Sequence, residues 1–121
     1  MDWIIVVITL ALLVVFLLVK RTDQIAEKAA AEHLKQGALV IDVRSRVEFD
    51  FGHLRHAVNM PLAQIETLVE REVNDKNQVL LLHCQSGARS GLAKKKLAAL
   101  GYTRVFNLGS YERAARIAGS V

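Results

Sequence analysis

The chain reads as an α/β domain in which helices cover both faces of a parallel sheet, preceded by one transmembrane helix. Three observations predict this. Ala38-Leu39-Val40-Ile41 and Val79-Leu80-Leu81-Leu82 are continuous apolar runs of strand length, as expected for strands buried on both faces. Segments of helical spacing alternate with these runs, and such alternation implies parallel pairing through helical crossovers. At the N-terminus, every residue from Trp3 to Val19 is apolar except Thr9.

That N-terminal run is 17 residues long, at the short end of what crosses a hydrocarbon core of roughly 30 Å. Lys20 and Arg21 follow at once and lengthen the effective span by snorkelling, while Trp3 suits the opposite interface. A cleaved signal peptide calls for a basic n-region and small residues close behind the apolar core. Here the n-region is Met1-Asp2, and Ala29-Ala30-Ala31 come only after several charges. The expected division is therefore residues 1–21 as transmembrane helix with basic flank, and residues 22–121 as one folded domain.

Within that domain, residues 22–36 have the spacing of a short amphipathic helix. Thr22 or Asp23 caps it, Ile25, Ala29, Ala30 and Leu34 share one side, and Gly37 provides a left-handed stop. The first strand follows, then a polar stretch from Asp42 to His56. Pro61 opens a helix near Leu62 to Val73, with Leu62, Ile65, Leu68 and Val69 inward. Asp75-Lys76-Asn77 is a turn, and the second strand delivers the chain to His83 and Cys84. A helix from Ser90 to Leu100 places Leu92, Ala93, Leu97 and Leu100 inward and stops at Gly101. Val105-Phe106 is a third strand, and Tyr111 to Ile117 a last helix.

Charge and composition narrow the function. Of the 12 acidic residues only Asp2 precedes residue 20, so residues 20–121 carry 16 Lys and Arg against 11 Asp and Glu, an excess of five. Its densest cluster, Lys94-Lys95-Lys96, has no interleaved aromatics and reads as a solvated helix face, so no nucleic-acid partner is expected. The modest excess favours anionic substrates or lipid headgroups. One cysteine excludes an internal disulfide, no Cys/His pair has zinc-ligand spacing, and no cofactor motif is present. Neither a metal nor a cofactor is expected.

The chemistry points to Cys84-Gln85-Ser86-Gly87-Ala88-Arg89-Ser90, between a buried strand and a helix. This is the carboxyl edge of a parallel sheet, where open α/β folds bind ligands. A loop curled around Cys84 would turn its amides inward, and the following helix would direct its positive end at the sulfur. Gly87 permits dihedrals that a side chain forbids, and Arg89 adds fixed positive charge. Each effect favours the thiolate, so an acidic, nucleophilic Cys84 is expected. The bland reading is a small buried hydrophobe; the position at a strand-to-helix switch argues against it.

Ile41-Asp42-Val43-Arg44, Glu48-Phe49, Gly52-His53-Leu54 and Ala57-Val58-Asn59-Met60-Pro61 resemble, in order, the first signature of rhodanese domains. Cys84 to Arg89 is similar to their active-site loop, a cysteine opening six residues that close on arginine. Gly101-Tyr102 and Asn107-Leu108-Gly109 resemble the family's C-terminal pattern. The resemblance covers about residues 24–121 and implies a rhodanese-like three-layer domain acting as a sulfurtransferase. It further implies that Cys84 holds sulfur as a persulfide and that the loop Gln85, Ser86, Gly87, Ala88 and Arg89 binds the anionic sulfur. Asp42 and Arg44 would be a partly buried ion pair supporting the interior beside the loop, and His53 a packing residue. His83 is expected to point away from Cys84, because neighbours along a strand face opposite sides. Gln85 replaces a second arginine common in the family, His56 stands where glycine is usual, and Ser110 replaces one glycine of a Gly-Gly pair. The implied partners are a small sulfur-containing anion or a protein persulfide as donor, a thiophilic acceptor, and the lipid bilayer through residues 3–19.

Two rivals stand beside this reading. Cysteine phosphatases have five residues between Cys and Arg where this chain has four, and a phosphoryl group needs the wider cradle. A membrane-bound binding module or persulfide carrier without turnover would keep the fold. Lys20 and Arg21, with Lys28 and Lys35 behind them, would hold the domain on the cytoplasmic side of a bacterial inner membrane. Resemblance to exported members of the family implies the periplasmic alternative.

Overall fold

The computed structural model describes residues 2–121; Met1 and the side chains of residues 20–22, on which the basic flank of the apolar run rests, lie outside the described part. Six α-helices and four strands follow one another: α1 Asp2–Thr22, α2 Glu27–Lys35, β1 Leu39–Asp42, α3 Arg46–Phe51, β2 Val58–Asn59, α4 Ile65–Glu72, β3 Leu80–His83, α5 Ala88–Ala99, β4 Val105–Gly109 and α6 Tyr111–Gly119. The sheet order is β2-β1-β3-β4, parallel throughout.

Alternation along the strands explains the three layers. Ile41, Leu80, Leu82 and Val105 face one way and pack with Ile65 and Val69 of α4 and Ala93 and Leu97 of α5. Val40, Leu81 and Leu108 face the other way, against Ala30 of α2 and Ala114 and Ile117 of α6. Both faces are covered, which is why β1 and β3 read as unbroken apolar runs. The expected rhodanese-like arrangement, a central parallel sheet flanked by helices, is what the chain adopts.

The 18-residue window Asp2–Val19 of α1 has a mean hydropathy of 2.9 and buries none of its length against the domain. By length and composition it is a candidate membrane span or signal sequence.

Several local expectations are corrected. No helix begins at Thr22 or Asp23. Gln24 forms a parallel bridge with Asn107, Ile25 N–H donates to the Asn107 carbonyl at 3.0 Å, and helical geometry starts only at Glu27. Ala26 is the cap and contributes no side-chain bond. Ala29 is exposed, and Ala31 packs against the core instead. Pro61 precedes a short 3-10 turn, Leu62–Gln64, before α4 begins. Leu92, expected inward, is 53% exposed on α5.

The polar stretch after β1 holds an unexpected helix, α3. It has no buried residue and is fixed at its start by a capping box: Ser45 Oγ accepts from Glu48 N–H, and Glu48 Oε1 accepts from Ser45 N–H, each at 3.2 Å. β2 is only two residues long. Leading into it, His56 has φ +68°, a left-handed conformation that costs a β-carbon residue about 1 kcal/mol or more. Glycine would carry no such cost.

Candidate functional site

β3 ends at His83, and Cys84 follows it at the carboxyl edge of the sheet, fully buried. Its N–H donates to the Gly109 carbonyl at 3.2 Å, which ties the start of the loop to the end of β4. Gly87 has φ +96°, and a β-carbon there would also sit 3.2 Å from Gly109 Cα. Glycine is thus favoured by its dihedral, and the close backbone of Gly109 adds to the preference. The turn brings Gly87 N–H to within 3.0 Å of Cys84 Sγ and starts α5 at Ala88, so the helix N-terminus lies at the sulfur.

Burial pushes the Cys84 thiol up, but the Ser90 hydroxyl and the amides of Ser90, Gly87 and Ser86 pull it down further, and the net shift is below the ordinary thiol value. A low thiol pKa at a helix N-terminus is the condition for a nucleophilic sulfur. Gln85, Ser86 and Ala88 are exposed at the rim of the loop. Ser86 and Ser110 form an antiparallel bridge, and Tyr111 N–H donates to the Gln85 carbonyl at 3.3 Å.

Arg89 is half-exposed, and its fork is engaged. Nη1 and Nη2 donate to Glu48 Oε1 and Oε2 at 2.6 and 2.9 Å, a bidentate pair linking α5 to α3. The fork is therefore committed to Glu48 while the charge still faces Cys84, and the hydrogen bonds that lower the thiol's pKa come from amides and a hydroxyl. Arg89 holds the Glu48 carboxyl at about 2 against an ordinary 4.5; burial opposes this, and hydrogen bonds from Ser45 assist it.

The sign of the stability effect follows. Between pH 4.5 and 2 the unfolded chain takes up a proton at Glu48 that the folded chain refuses. The pair's contribution is thus complete above pH 4.5 and fades as pH falls towards 2. Solvent screening at this half-exposed pair keeps the effect small. Glu48→Gln is expected to flatten the fall in melting temperature across that window, as measured by thermal melts at stepped pH. An unchanged slope would show that folding does not shift the Glu48 pKa.

Asp42 and Arg44 sit one strand away, at the end of β1. Asp42 is fully buried and Arg44 is 5% exposed. Arg44 Nε lies 3.0 Å from both Asp42 oxygens, Nη2 is 2.7 Å from Oδ2, and Nη2 also donates to the Gly52 carbonyl at 2.7 Å. The guanidinium stacks 4.7 Å from the Tyr111 ring centroid.

His83, paired in register with Asp42, points to the same cluster and away from Cys84, as alternation requires. Its Nε2 is 3.6 Å from Asp42 Oδ2, too far for a hydrogen bond, and has no other partner. Burial pushes its pKa down, against the raising pull of Asp42 and the Cys84 carbonyl. The imidazole is therefore neutral near pH 7 and the contact is not an ion pair. His53 is stacked on Phe49 with centroids 3.8 Å apart, and its Nδ1 lies 2.9 Å from the Phe49 carbonyl.

Three residues that hold the loop have no role assigned by the sequence alone. Ser90 Oγ is 3.6 Å from Cys84 Sγ, Asn107 bonds Ser90, and Glu48 holds Arg89. Glu48 carried a readable signal, the Ser-x-x-Glu spacing of Ser45 to Glu48. Asn107 falls in the Asn107-Leu108-Gly109 motif, but nothing local names its partners, which lie up to 84 positions away. Among the described residues, no group of three or more His, Cys, Asp or Glu side chains is placed to hold a metal ion.

Comparison with known proteins gives a consistent picture. Residues 26–116 match the rhodanese-like domain family. The thiosulfate sulfurtransferase PspE of Escherichia coli is 38% identical over 80 residues, covering 66% of this chain and 71% of that protein. Among solved structures, a rhodanese with anions from E. coli superposes with a TM-score of 0.61 at 34% identity, covering 64% of this chain and 91% of that one. The human single-domain sulfurtransferase TSTD1 gives a TM-score of 0.64 at 27% identity, covering 78% and 96%.

Proposed function

The chain belongs to the rhodanese-like domain family, and on that premise we propose that it moves a sulfane sulfur from a donor such as thiosulfate to a thiophilic acceptor through a persulfide on Cys84. The observation that carries the reading is the Gly87 amide 3.0 Å from Cys84 Sγ at the start of α5, in a loop that lowers the thiol's pKa.

The Cys84 thiolate attacks the outer sulfur of thiosulfate. The S–S bond breaks, and sulfite leaves with the bonding electrons. The terminal sulfur, now on Cys84, rests on the amides of Ser86 and Gly87. An acceptor such as cyanide attacks that sulfur, takes it as thiocyanate and returns the thiolate. Gln85, Ala88 and Arg89 shape the rim, while the Asp42–Arg44 pair braces the neighbouring strand. Because Cys84 is buried, a donor must present a protruding terminal sulfur. A persulfide on a protein meets that requirement as well as thiosulfate does.

The test is thiocyanate formation from thiosulfate and cyanide by the full chain in detergent, beside hydrolysis of an aryl phosphate. Sulfur transfer without phosphatase activity is expected, since the Arg89 fork is closed on Glu48 and the loop has four residues between Cys84 and Arg89. Phosphate release without sulfur transfer would replace this reading with the phosphatase one.

We also propose that α1 anchors the protein to a bacterial inner membrane through residues 3–19, with the domain of residues 22–121 in the cytoplasm. Fusion of a fluorescent protein to the C-terminus is expected to give signal, and fusion of alkaline phosphatase none. The reverse pattern would place the domain in the periplasm, and a shortened mature N-terminus would make α1 a signal sequence.

A further inference from the structure

The segment leaving α1 is built into the back of the cysteine loop. The Gln24–Asn107 bridge seats Asp23 and Gln24 behind it. A β-carbon on Gly109 would lie 2.7 Å from Gln24 Nε2, and one on Gly91 would lie 2.9 Å from Asp23 Oδ2. The two glycines thus leave the room into which the ends of the Asp23 and Gln24 side chains fit.

Asn107, 2% exposed, has its amide fully engaged. Oδ1 accepts from Ser90 Oγ at 2.7 Å and from Gly109 N–H at 2.8 Å. Nδ2 donates to the Gly87 carbonyl at 3.2 Å and to Asp23 Oδ2 at 3.3 Å. Its orientation is forced. The Gly109 amide only donates, whereas the carbonyl and carboxylate only accept.

The Ser90 hydroxyl has one proton and three acceptors in range: Asn107 Oδ1 at 2.7 Å, the Gly87 carbonyl at 3.1 Å and Cys84 Sγ at 3.6 Å. While Cys84 is a thiol, the short bond to Asn107 wins. Once the sulfur is anionic, a charge-assisted bond to Sγ competes for the same proton. That competition requires Oγ to stay within reach of both, and Asn107 fixes where Oγ sits.

We infer that Asn107 and Asp23 are positioning residues for the sulfur chemistry: acting through Ser90, they keep its hydroxyl poised beside Cys84 Sγ, so that the segment directly after α1 completes the site. The inference rests on Cys84 being the sulfur carrier.

The sign of one substitution separates positioning from simple charge. Asp23 also faces Lys94 Nζ at 3.5 Å. If Asp23 acted only through its field, Asp23→Ala would remove a negative charge and free a positive one, and both changes favour the thiolate. If it acts through Asn107 and Ser90, the same change loosens the hydroxyl and disfavours the thiolate. Other ionisable groups around the loop include His83 at the end of β3, the Asp42–Arg44 pair at the end of β1, Arg89 of α5 with its partner Glu48 of α3, Lys95 of α5 and Tyr111 of α6; these substitutions leave all of them unchanged.

The experiment is the pH profile of Cys84 alkylation by iodoacetamide in the full chain. Ser90→Ala is expected to move the midpoint upward and cut the rate below it about tenfold or more, as loss of one hydrogen bond to a charged sulfur implies. Asp23→Ala should move it the same way by less, and Asp23→Asn, which keeps an accepting oxygen, should restore the wild-type profile. In a Ser90→Ala background, Asp23→Ala should add nothing. A downward or absent shift in Asp23→Ala, or an equal shift with Ser90 already removed, would overturn the inference. Should Ser90→Ala fail to fold, the two half-exposed Asp23 variants still decide by sign and by rescue. Absence of sulfur loading in the wild type would sink the sulfurtransferase reading instead, and leave the alkylation profiles to judge the network.

Discussion

Cys84→Ser is expected to reduce sulfur transfer by a factor on the order of 10³ or more, to the uncatalysed background, because the nucleophile is lost outright. The chain has no second cysteine to take over. A serine hydroxyl is smaller than the thiol and cannot form a persulfide. It can still accept the Gly87 amide, so the loop keeps its turn. Circular dichroism and the melting transition should therefore stay close to wild type while thiocyanate formation vanishes. Retained activity in a folded Cys84→Ser protein would remove Cys84 from the mechanism.

The largest stability effect is expected one strand away from Cys84, at the carboxyl end of β1. Asp42→Ala leaves Arg44, 5% exposed, without its counter-charge and should lower the unfolding free energy by about 3–5 kcal/mol. Asp42 accepts two side-chain bonds from Arg44 Nε, one from Nη2 and one from the Arg44 amide at 2.9 Å. The Gly52 carbonyl and the Tyr111 ring would remain beside the guanidinium, with Glu48 acting only through its charge. Asp42→Ala with Arg44→Met removes the stranded charge as well and should recover part of the loss. Urea denaturation of both variants reads this directly. A loss below about 1 kcal/mol in the single variant would mean that Arg44 escapes to water.

How much of this was legible follows from how local each signal is. Leu39 to Ile41 and Leu80 to Leu82 announce themselves because a strand covered on both faces must be apolar at every position. The loop from Cys84 to Arg89 was readable because its parts are contiguous. α3 was missed because a six-residue helix with Val47 66% and Phe51 90% exposed has no apolar stripe, although its capping box was there to be read. β2, two residues long, has too little sequence for a period. Leu92 was placed inward on spacing alone, but α5 buries only Ser90, Ala93 and Leu97. Least legible were the partners of Arg89 and Asn107. Glu48 lies 41 positions from Arg89 and Asp23 lies 84 from Asn107, so only the fold brings them together. Arg89 still faces the Cys84 sulfur with its charge, but the structure commits its fork to Glu48, and hydrogen bonds from Ser90 and the loop's amides act on the sulfur directly.

The most direct measurement is the intact mass of the full chain after incubation with thiosulfate, and again after cyanide. A gain equal to one sulfur atom is expected, with its loss when cyanide is added and no gain in Cys84→Ser. An unchanged mass in the wild type, or an equal gain in the serine variant, would contradict a Cys84 persulfide.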